Sequence, residues 1–197
     1  MKYELKQQSL DELIELSQKG DMSALEEIIR RQQKNIFATF YYLNAKPDEI
    51  LDLTQEVLYK VAKNIKKLRN PRTFKSWLNQ IIINQYHDTL RRKQKSVKKV
   101  CLDEPKEDKP ELEIPDFTTN PIQKAIDKEL DFAIKSSISK LPEPFKLAII
   151  MRELQGLSYD EIARATNTNI GTVKSRIARA RLKLQEDLKP YIDNKGA

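Results

Sequence analysis

The chain has 197 residues, 39% of them apolar, with a formal net charge of +7 and a pI near 9.3, a balance that suits a polyanionic partner. One histidine and one cysteine exclude a zinc site or a disulfide built within one chain, and no cofactor is expected. The longest apolar stretches, around 36–43 and 81–83, are too short to cross a bilayer, and no signal peptide opens the chain. Direct membrane insertion is therefore not expected, and a reducing, cytoplasmic setting is.

Long helical periodicities, few glycines and few alternating β-branched runs predict an all-α protein. The predicted organisation is two small helical domains at 1–95 and 121–192, an extended acidic linker at 96–120 and a short tail at 193–197. In the first domain, 52-DLTQEVLYKV-61 sets Asp52, Gln55 and Glu56 beside apolar residues such as Leu58. Taken alone, that helix reads as an ordinary bundle member.

After the loop 68-LRNPRT-73 comes 74-FKSWLNQIIINQYHDTLRRKQK-95, in which Phe74, Trp77, Leu78, Ile81 and Ile82 are predicted to form one apolar side. Beside Trp77 runs a polar stripe of Gln80, Asn84, His87 and Arg91 at i, i+4, i+7 and i+11. Amides, an imidazole and a cation in a row can hydrogen-bond base edges or phosphates. Trp77, the only tryptophan, is either core or a wedge or stacking platform for an unstacked base.

The stretch 101-CLDEPKEDKPELEIPDF-117 holds Pro105, Pro110 and Pro115 with seven acids against Lys106 and Lys109. It cannot continue a helix and has little to bury. Asn120-Pro121, an N-cap followed by a first-turn proline, opens the second domain. There Phe145, Leu147, Ile149 and Ile150 are predicted core residues. In 157-LSYDEIARATNTN-169, Ser158 and Glu161 form a capping-box signature for a helix beginning near Tyr159. Ile162 and Ala163 face inward, Asn167-Thr168-Asn169 makes a tight polar turn, and a second helix starts near Ile170.

That second helix, 170-IGTVKSRIARARLKLQEDL-188, carries Val173, Ile177, Ala180 and Leu184 in one narrow stripe, the mark of a helix docked on a core. Ser175 and Leu182 then lie at the centre of the outward face, flanked by Lys174, Ala178 and Arg179, with Arg176 and Arg181 at the borders of the buried stripe. Short side chains flanked by long cations suit close approach to a phosphate-lined groove. Helix, short turn and basic second helix make the helix-turn-helix plan, whose second helix enters the major groove.

Three blocks together resemble the sigma-70 superfamily of RNA polymerase sigma factors, in its compact extracytoplasmic-function (ECF) group. They are 52-DLTQEVLYKV-61 (region 2.2), 74-FKSWLNQIIINQYHDTLRRK-93 (regions 2.3 and 2.4) and 156-GLSYDEIARATNTNIGTVKSRIARAR-181 (region 4). The resemblance implies a non-enzymatic subunit that joins core RNA polymerase, directs it to particular promoters and helps open the duplex. It places Asp52, Gln55, Glu56 and Leu58 on the clamp helices of the largest polymerase subunit, and makes Phe145, Leu147, Ile149 and Ile150 core, or a surface for the flap of the second-largest. It makes 68–73 a specificity loop in which Asn70, Arg72 and Thr73 hold a flipped minus-10 base, and puts Trp77 and Asn84 near the melting junction. Gln80 departs from the arginine of many relatives, while Arg91, Arg92, Lys93 and Lys95 would contact phosphates. In region 4, Lys174, Ser175, Ala178 and Arg179 match readers of the minus-35 element, with Thr172, Arg176 and Arg181 assigned to backbone positioning. The acidic linker would thread the polymerase cleft or act as a plain tether, and an anti-sigma factor is a candidate partner. The rival reading is a free-standing helix-turn-helix regulator that binds a palindrome as a dimer. For an enzyme, the sequence offers no phosphate loop, ligand cluster or nucleophile-base set.

Overall fold

The structure, a computed structural model, describes residues 2–97 and 121–193, with side chains described over 5–92 and 129–191. Among these residues all regular structure is helical, as the composition and periodicity predict. Positions 98–120, which hold Cys101 and most of the predicted acidic linker, lie outside the described residues, as do 194–197. The chain forms two compact units, one of 1–40 with 46–110 and one of 41–45 with 111–197.

The first unit is built from α1 (Lys2–Gln7), α2 (Leu10–Gln18), α3 (Met22–Tyr42, its last turn grouped with the other unit), α4 (Pro47–Asn64) and α5 (Phe74–Val97), with 3-10 turns at Ile65–Lys67 and Pro71–Thr73. Ser9 caps α2 in a reciprocal box with Glu12, whose carboxylate accepts the Ser9 N–H at 2.8 Å while the Glu12 N–H donates to Ser9 Oγ at 3.3 Å. Asp21 caps α3 by accepting the N–H groups of Ser23 (2.8 Å) and Ala24 (3.1 Å). Helix α4 opens on Pro47 with Asp48 and Glu49 in its first turn, where a missing N–H costs nothing and acids complement the dipole. Its buried stripe of Ile50, Leu53, Thr54, Val57 and Val61 follows the helical period.

The buried side of α5 differs from the one its apolar residues predict. Phe74, Leu78, Ile82, Ile83 and Tyr86 are buried, whereas Trp77 and Ile81 are half-buried at the rim. Asn79, Gln85 and Thr89 take buried places instead, each with a donor spent inward, although Asn79 Oδ1 is buried without a hydrogen-bond partner. Asn79 Nδ2 and Thr89 Oγ1 donate to the carbonyls of Lys75 (2.8 Å) and Gln85 (3.0 Å). Gln85 itself bridges α5 to α4, donating Nε2 to the Glu56 carboxylate and accepting from Lys60 Nζ.

The second unit comprises α6 (Pro121–Ser139), α7 (Glu143–Glu153), α8 (Tyr159–Thr166) and α9 (Ile170–Asp193). Helix α7 is buried on every side from Lys146 to Met151, and α9 packs on α6, α7 and α8. The end of α7 is tied to the start of α8 by Arg152, which donates Nη1 to the Leu157 carbonyl at 2.8 Å and lies 4.9 Å from the Tyr159 ring centroid.

One ion-paired cluster ties the N-terminus down. The Glu27 side chain, 9% exposed, binds Arg30 at 2.7 Å and Arg31 at 2.8 Å, and Arg31 donates onward to the carbonyls of Leu5 (2.9 Å), Lys6 (2.9 Å) and Gln8 (2.8 Å) at the end of α1. Hydrogen bonds from Arg30, then from Arg31, hold the Glu27 carboxyl down from 4.5 to about 2 against the opposing effect of burial. A carboxylate whose folded pKa lies below its unfolded one stabilises the fold above the unfolded value, and that stabilisation drains away as pH falls. The wild type should therefore lose more thermal stability than Glu27→Gln as pH drops from about 4.5 to about 2, measured by unfolding followed by circular dichroism.

Candidate nucleic-acid interface

In the second unit, Ser158 caps α8 through the predicted box, with Glu161 Oε2 accepting the Ser158 N–H at 2.8 Å and the Glu161 N–H reaching Ser158 Oγ at 3.2 Å. Asn167 ends α8 with φ 50° and ψ 47°, the left-handed conformation that asparagine tolerates. Three residues then suffice to turn the chain into α9. Asn169 starts that helix by accepting the Thr172 N–H on Oδ1 at 2.7 Å, and a Cβ at Gly171 would press on that same oxygen at 3.3 Å.

Val173, Ile177 and Ala180 are wholly buried, at 0%, 1% and 0% exposure, and Leu184 is half-buried. This stripe sets the roll of α9. Lys174, Ser175, Ala178 and Arg179 are exposed, Thr172 and Arg176 are half-buried, and Leu182 stands 60% exposed in the same outward face. Ser175 Oγ bonds back to the Thr172 carbonyl at 2.9 Å. Arg181 is engaged within the unit, its guanidinium donating to Glu153 Oε1 on α7 at 2.6 and 3.0 Å. The Glu153 hydrogen bond and charge keep that guanidinium above its ordinary range, and the pairing of residues 28 apart had no local signal.

In the first unit the loop between α4 and α5 is exposed at Arg69, Asn70, Arg72 and Thr73. Asn70 caps the 3-10 turn, its Oδ1 accepting the Arg72 N–H at 3.0 Å while Thr73 Oγ1 donates to the Asn70 carbonyl at 2.7 Å. Trp77 follows one helical turn into α5, its ring tilted 49° to that of Phe74 at 5.8 Å. Along α5, Asn84 and Arg91 are exposed and Gln80 and His87 half-buried. Gln80 Nε2 donates to Asn84 Oδ1 at 3.0 Å and Arg91 meets Asp88 at 3.3 Å, so the stripe is partly linked to itself.

Asp52, Gln55 and Glu56 are exposed on α4 and Leu58 is half-buried. Two apolar side chains that the sequence reading passed over join that face: Leu51 at 52% and Tyr59 at 65% exposure. The reading also passed over a run of charge. Between Glu56 and Asp88 the chain has no acid and seven cations: Lys60, Lys63, Lys66, Lys67, Arg69, Arg72 and Lys75. All but Lys60 are exposed, so a stretch wrapping the loop carries a positive charge equal to the net charge of the whole chain.

Residues 28–96 match the Sigma-70 region 2 family and residues 131–184 the Sigma-70 region 4 family. The chain is 30% identical over 188 residues, covering 91% of itself and 94% of the relative, to the ECF RNA polymerase sigma-E factor of Escherichia coli K12. The chain belongs to the ECF RNA polymerase sigma factors. A second relative of this family, from Haemophilus influenzae, is 29% identical over 91% of this chain and 95% of the relative. A third, ECF RNA polymerase sigma factor SigE of Mycolicibacterium smegmatis, is 30% identical over 86% of this chain, which spans 64% of that protein's length. Among solved structures, the fold is similar to the co-crystal structure of the sigma factor RpoE in complex with the anti-sigma factor NepR from Bartonella quintana, with TM-score 0.64, 26% identity and coverage of 83% of this chain and 96% of that one. It is also similar to that of CnrH in complex with the cytosolic domain of CnrY, with TM-score 0.65, 19% identity and coverage of 93% and 99%.

The left-handed turn of this ECF sigma factor is open to a direct test. Asn167→Gly should leave its unfolding free energy nearly unchanged, whereas Asn167→Val should cost roughly 1–2 kcal/mol, both measured by denaturant titration.

Proposed function

We propose that this ECF sigma factor joins core RNA polymerase, brings it to promoters through its two units and helps open the duplex at the minus-10 element. The observation that carries this reading is the roll of α9. The buried stripe of Val173, Ile177 and Ala180 turns Lys174, Ser175, Ala178 and Arg179 outward, on the second helix of a helix-turn-helix with the dimensions to enter a major groove. In this reading those four residues read the minus-35 element, and Thr172 and Arg176 hold the backbone. Arg181 would join them after exchanging Glu153 for a phosphate.

The exposed loop residues Asn70, Arg72 and Thr73 would hold one extruded base of the minus-10 element, with Trp77 at the junction to stack where the duplex parts. Unstacking costs a few kcal/mol, which new stacking and hydrogen bonds offset. Gln80, Asn84, His87 and Arg91 would line the path of the separated strand, and the exposed cations of 63–75 would neutralise its phosphates. The α4 face of Leu51, Asp52, Gln55, Glu56 and Tyr59, with Leu58 at its rim, would dock on the largest polymerase subunit. A protein that covered that face would silence the factor, and the NepR complex of the Bartonella quintana relative supports an anti-sigma partner for this chain. In this reading α7 contributes mainly core, since Leu147, Ile149 and Ile150 are buried, while Phe145 at the rim is its candidate contact to the flap.

Phosphodiester chemistry belongs in this scheme to the polymerase active site, and the chain itself performs no catalytic step. No helix among the described residues is long and apolar enough to cross a membrane, which fits the proposed work in the cytoplasm. A free-standing dimeric regulator accounts for α8 and α9 but leaves the region 2 match unexplained.

Run-off transcription with purified core polymerase, on templates selected from genomic fragments, tests the proposal. Transcripts are expected from defined sites only when the protein is present. Lys174→Ala/Arg179→Ala should lose them on duplex templates, and Trp77→Ala should lose them on duplex yet recover on a pre-melted bubble. A protein that neither binds core nor changes start sites would end the proposal. Glu153→Gln, which releases Arg181, is expected to tighten duplex binding and steepen its salt dependence by about one phosphate contact, measured by fluorescence anisotropy across a salt series.

A further inference from the structure

Helix α2 ends at Gln18, upstream of the region 2 match that begins at residue 28, yet it packs against both 3-10 turns that bound the exposed loop. From its last residue the Gln18 side-chain amide donates two hydrogen bonds through Nε2, to the carbonyl of Leu68 at 2.7 Å and to that of Ile65 at 3.0 Å. Those two carbonyls frame the entry to the loop. The Ile65 carbonyl also accepts the Leu68 N–H at 3.1 Å, closing the first 3-10 turn, and at Leu68 the backbone leaves helical geometry for φ −70° and ψ 114°. One side chain thus grips both sides of the bend that sends Arg69, Asn70, Arg72 and Thr73 outward. The loop's own bonds, from the Arg72 N–H to Asn70 Oδ1 and from Thr73 Oγ1 to the Asn70 carbonyl, shape its tip but do not anchor it to a neighbouring helix.

The grip has a fixed base. Leu13 and Ile14 of α2 are 0% exposed and Ser17 is 3% exposed, the Ser9–Glu12 box caps the helix start, and Arg31 holds the carbonyls just before it. Donors mounted on a packed helix hold a loop to within the fraction of an ångström that recognition of a single base requires. We propose that Gln18 is a positioning residue for base selection: by fixing the carbonyls of Ile65 and Leu68 it sets where Asn70, Arg72 and Thr73 stand, and so which extruded base the loop accepts. This holds only if the loop receives a base as proposed above.

The experiment uses core polymerase reconstituted with the full chain and forked promoter DNA carrying, in turn, each of the four bases at each non-template position of the minus-10 element. Competitive binding gives a discrimination ratio at every position. The wild type is expected to discriminate sharply at one position. Gln18→Met, of equal length but without the donor, should lower that ratio about tenfold, the loss expected when two bonds that fix a loop are removed, while core affinity and transcription from pre-melted templates stay as in the wild type. Ser9→Ala weakens the same helix at its cap and leaves the Gln18 amide in place, so it should keep the wild-type ratio. Retention of full discrimination by Gln18→Met overturns the assignment, and so does equal loss in both variants, which would mark general destabilisation of α2. A wild type without base preference at any position would overturn the proposed role of the loop and this assignment with it, an outcome distinct from the other two.

Discussion

The burial of three modest side chains decides what the second unit can do. Val173, Ile177 and Ala180 are out of solvent, and burial of each of the larger two contributes roughly 1.5–3 kcal/mol. A rotation of α9 by one residue, about 100°, would expose part of that stripe and swing Lys174 or Arg179, according to the sense of the turn, towards the core. The face proposed to meet DNA is thus a by-product of packing: the residues that would read bases are the ones left over when the apolar stripe has chosen its side. Helix α7, buried all round from Lys146 to Met151, is the surface against which the choice is made, and Arg152 locks its end to α8.

The first unit uses polar contacts for the same end. Gln85, 1% exposed, joins α5 to Glu56 and Lys60 of α4, so the helix proposed to meet polymerase and the helix proposed to meet DNA share one buried amide. A buried amide without partners would be costly; with both ends occupied it fixes the register of the two helices. The bonds from Gln18 to the loop backbone extend the same device to α2, and give the segment before the family match a structural tie to the residues that would select a base.

Much of this was legible in the sequence where the signal is local. The Ser158–Glu161 box, the left-handed Asn167 and the α9 stripe each depend on residues within a few positions of one another, and period and cap chemistry suffice to read them. On α5 the same method went astray by about a sixth of a turn, because hydropathy ranks Trp77 and Ile81 above Asn79, Gln85 and Thr89. The polar three place donors on carbonyls one turn back or on α4, and a wheel of apolar identities has no means of seeing that. The pairs Arg181–Glu153 and Gln18–Leu68 span 28 and 50 residues, and only the folded chain brings them together. Exposure of Leu51 and Tyr59 is a different matter, since about 100° per residue sets Tyr59 opposite the buried stripe of α4 and Leu51 about a quarter turn from it, so the helical period alone would have shown both.

The acid-free run between Glu56 and Asp88 gives ionic strength two opposed effects. In the free factor, exposed cations clustered around one loop repel one another, and no acid within the run relieves them. Mobile anions that gather there screen the repulsion, so added salt lowers its local cost. Against a polyanion the same cations release condensed counterions on contact, and added salt weakens the union. The run is thus under most strain alone in dilute electrolyte, where the phosphate contacts proposed for it would be firmest, so that its electrostatic tension would be relieved by the partner it is proposed to serve.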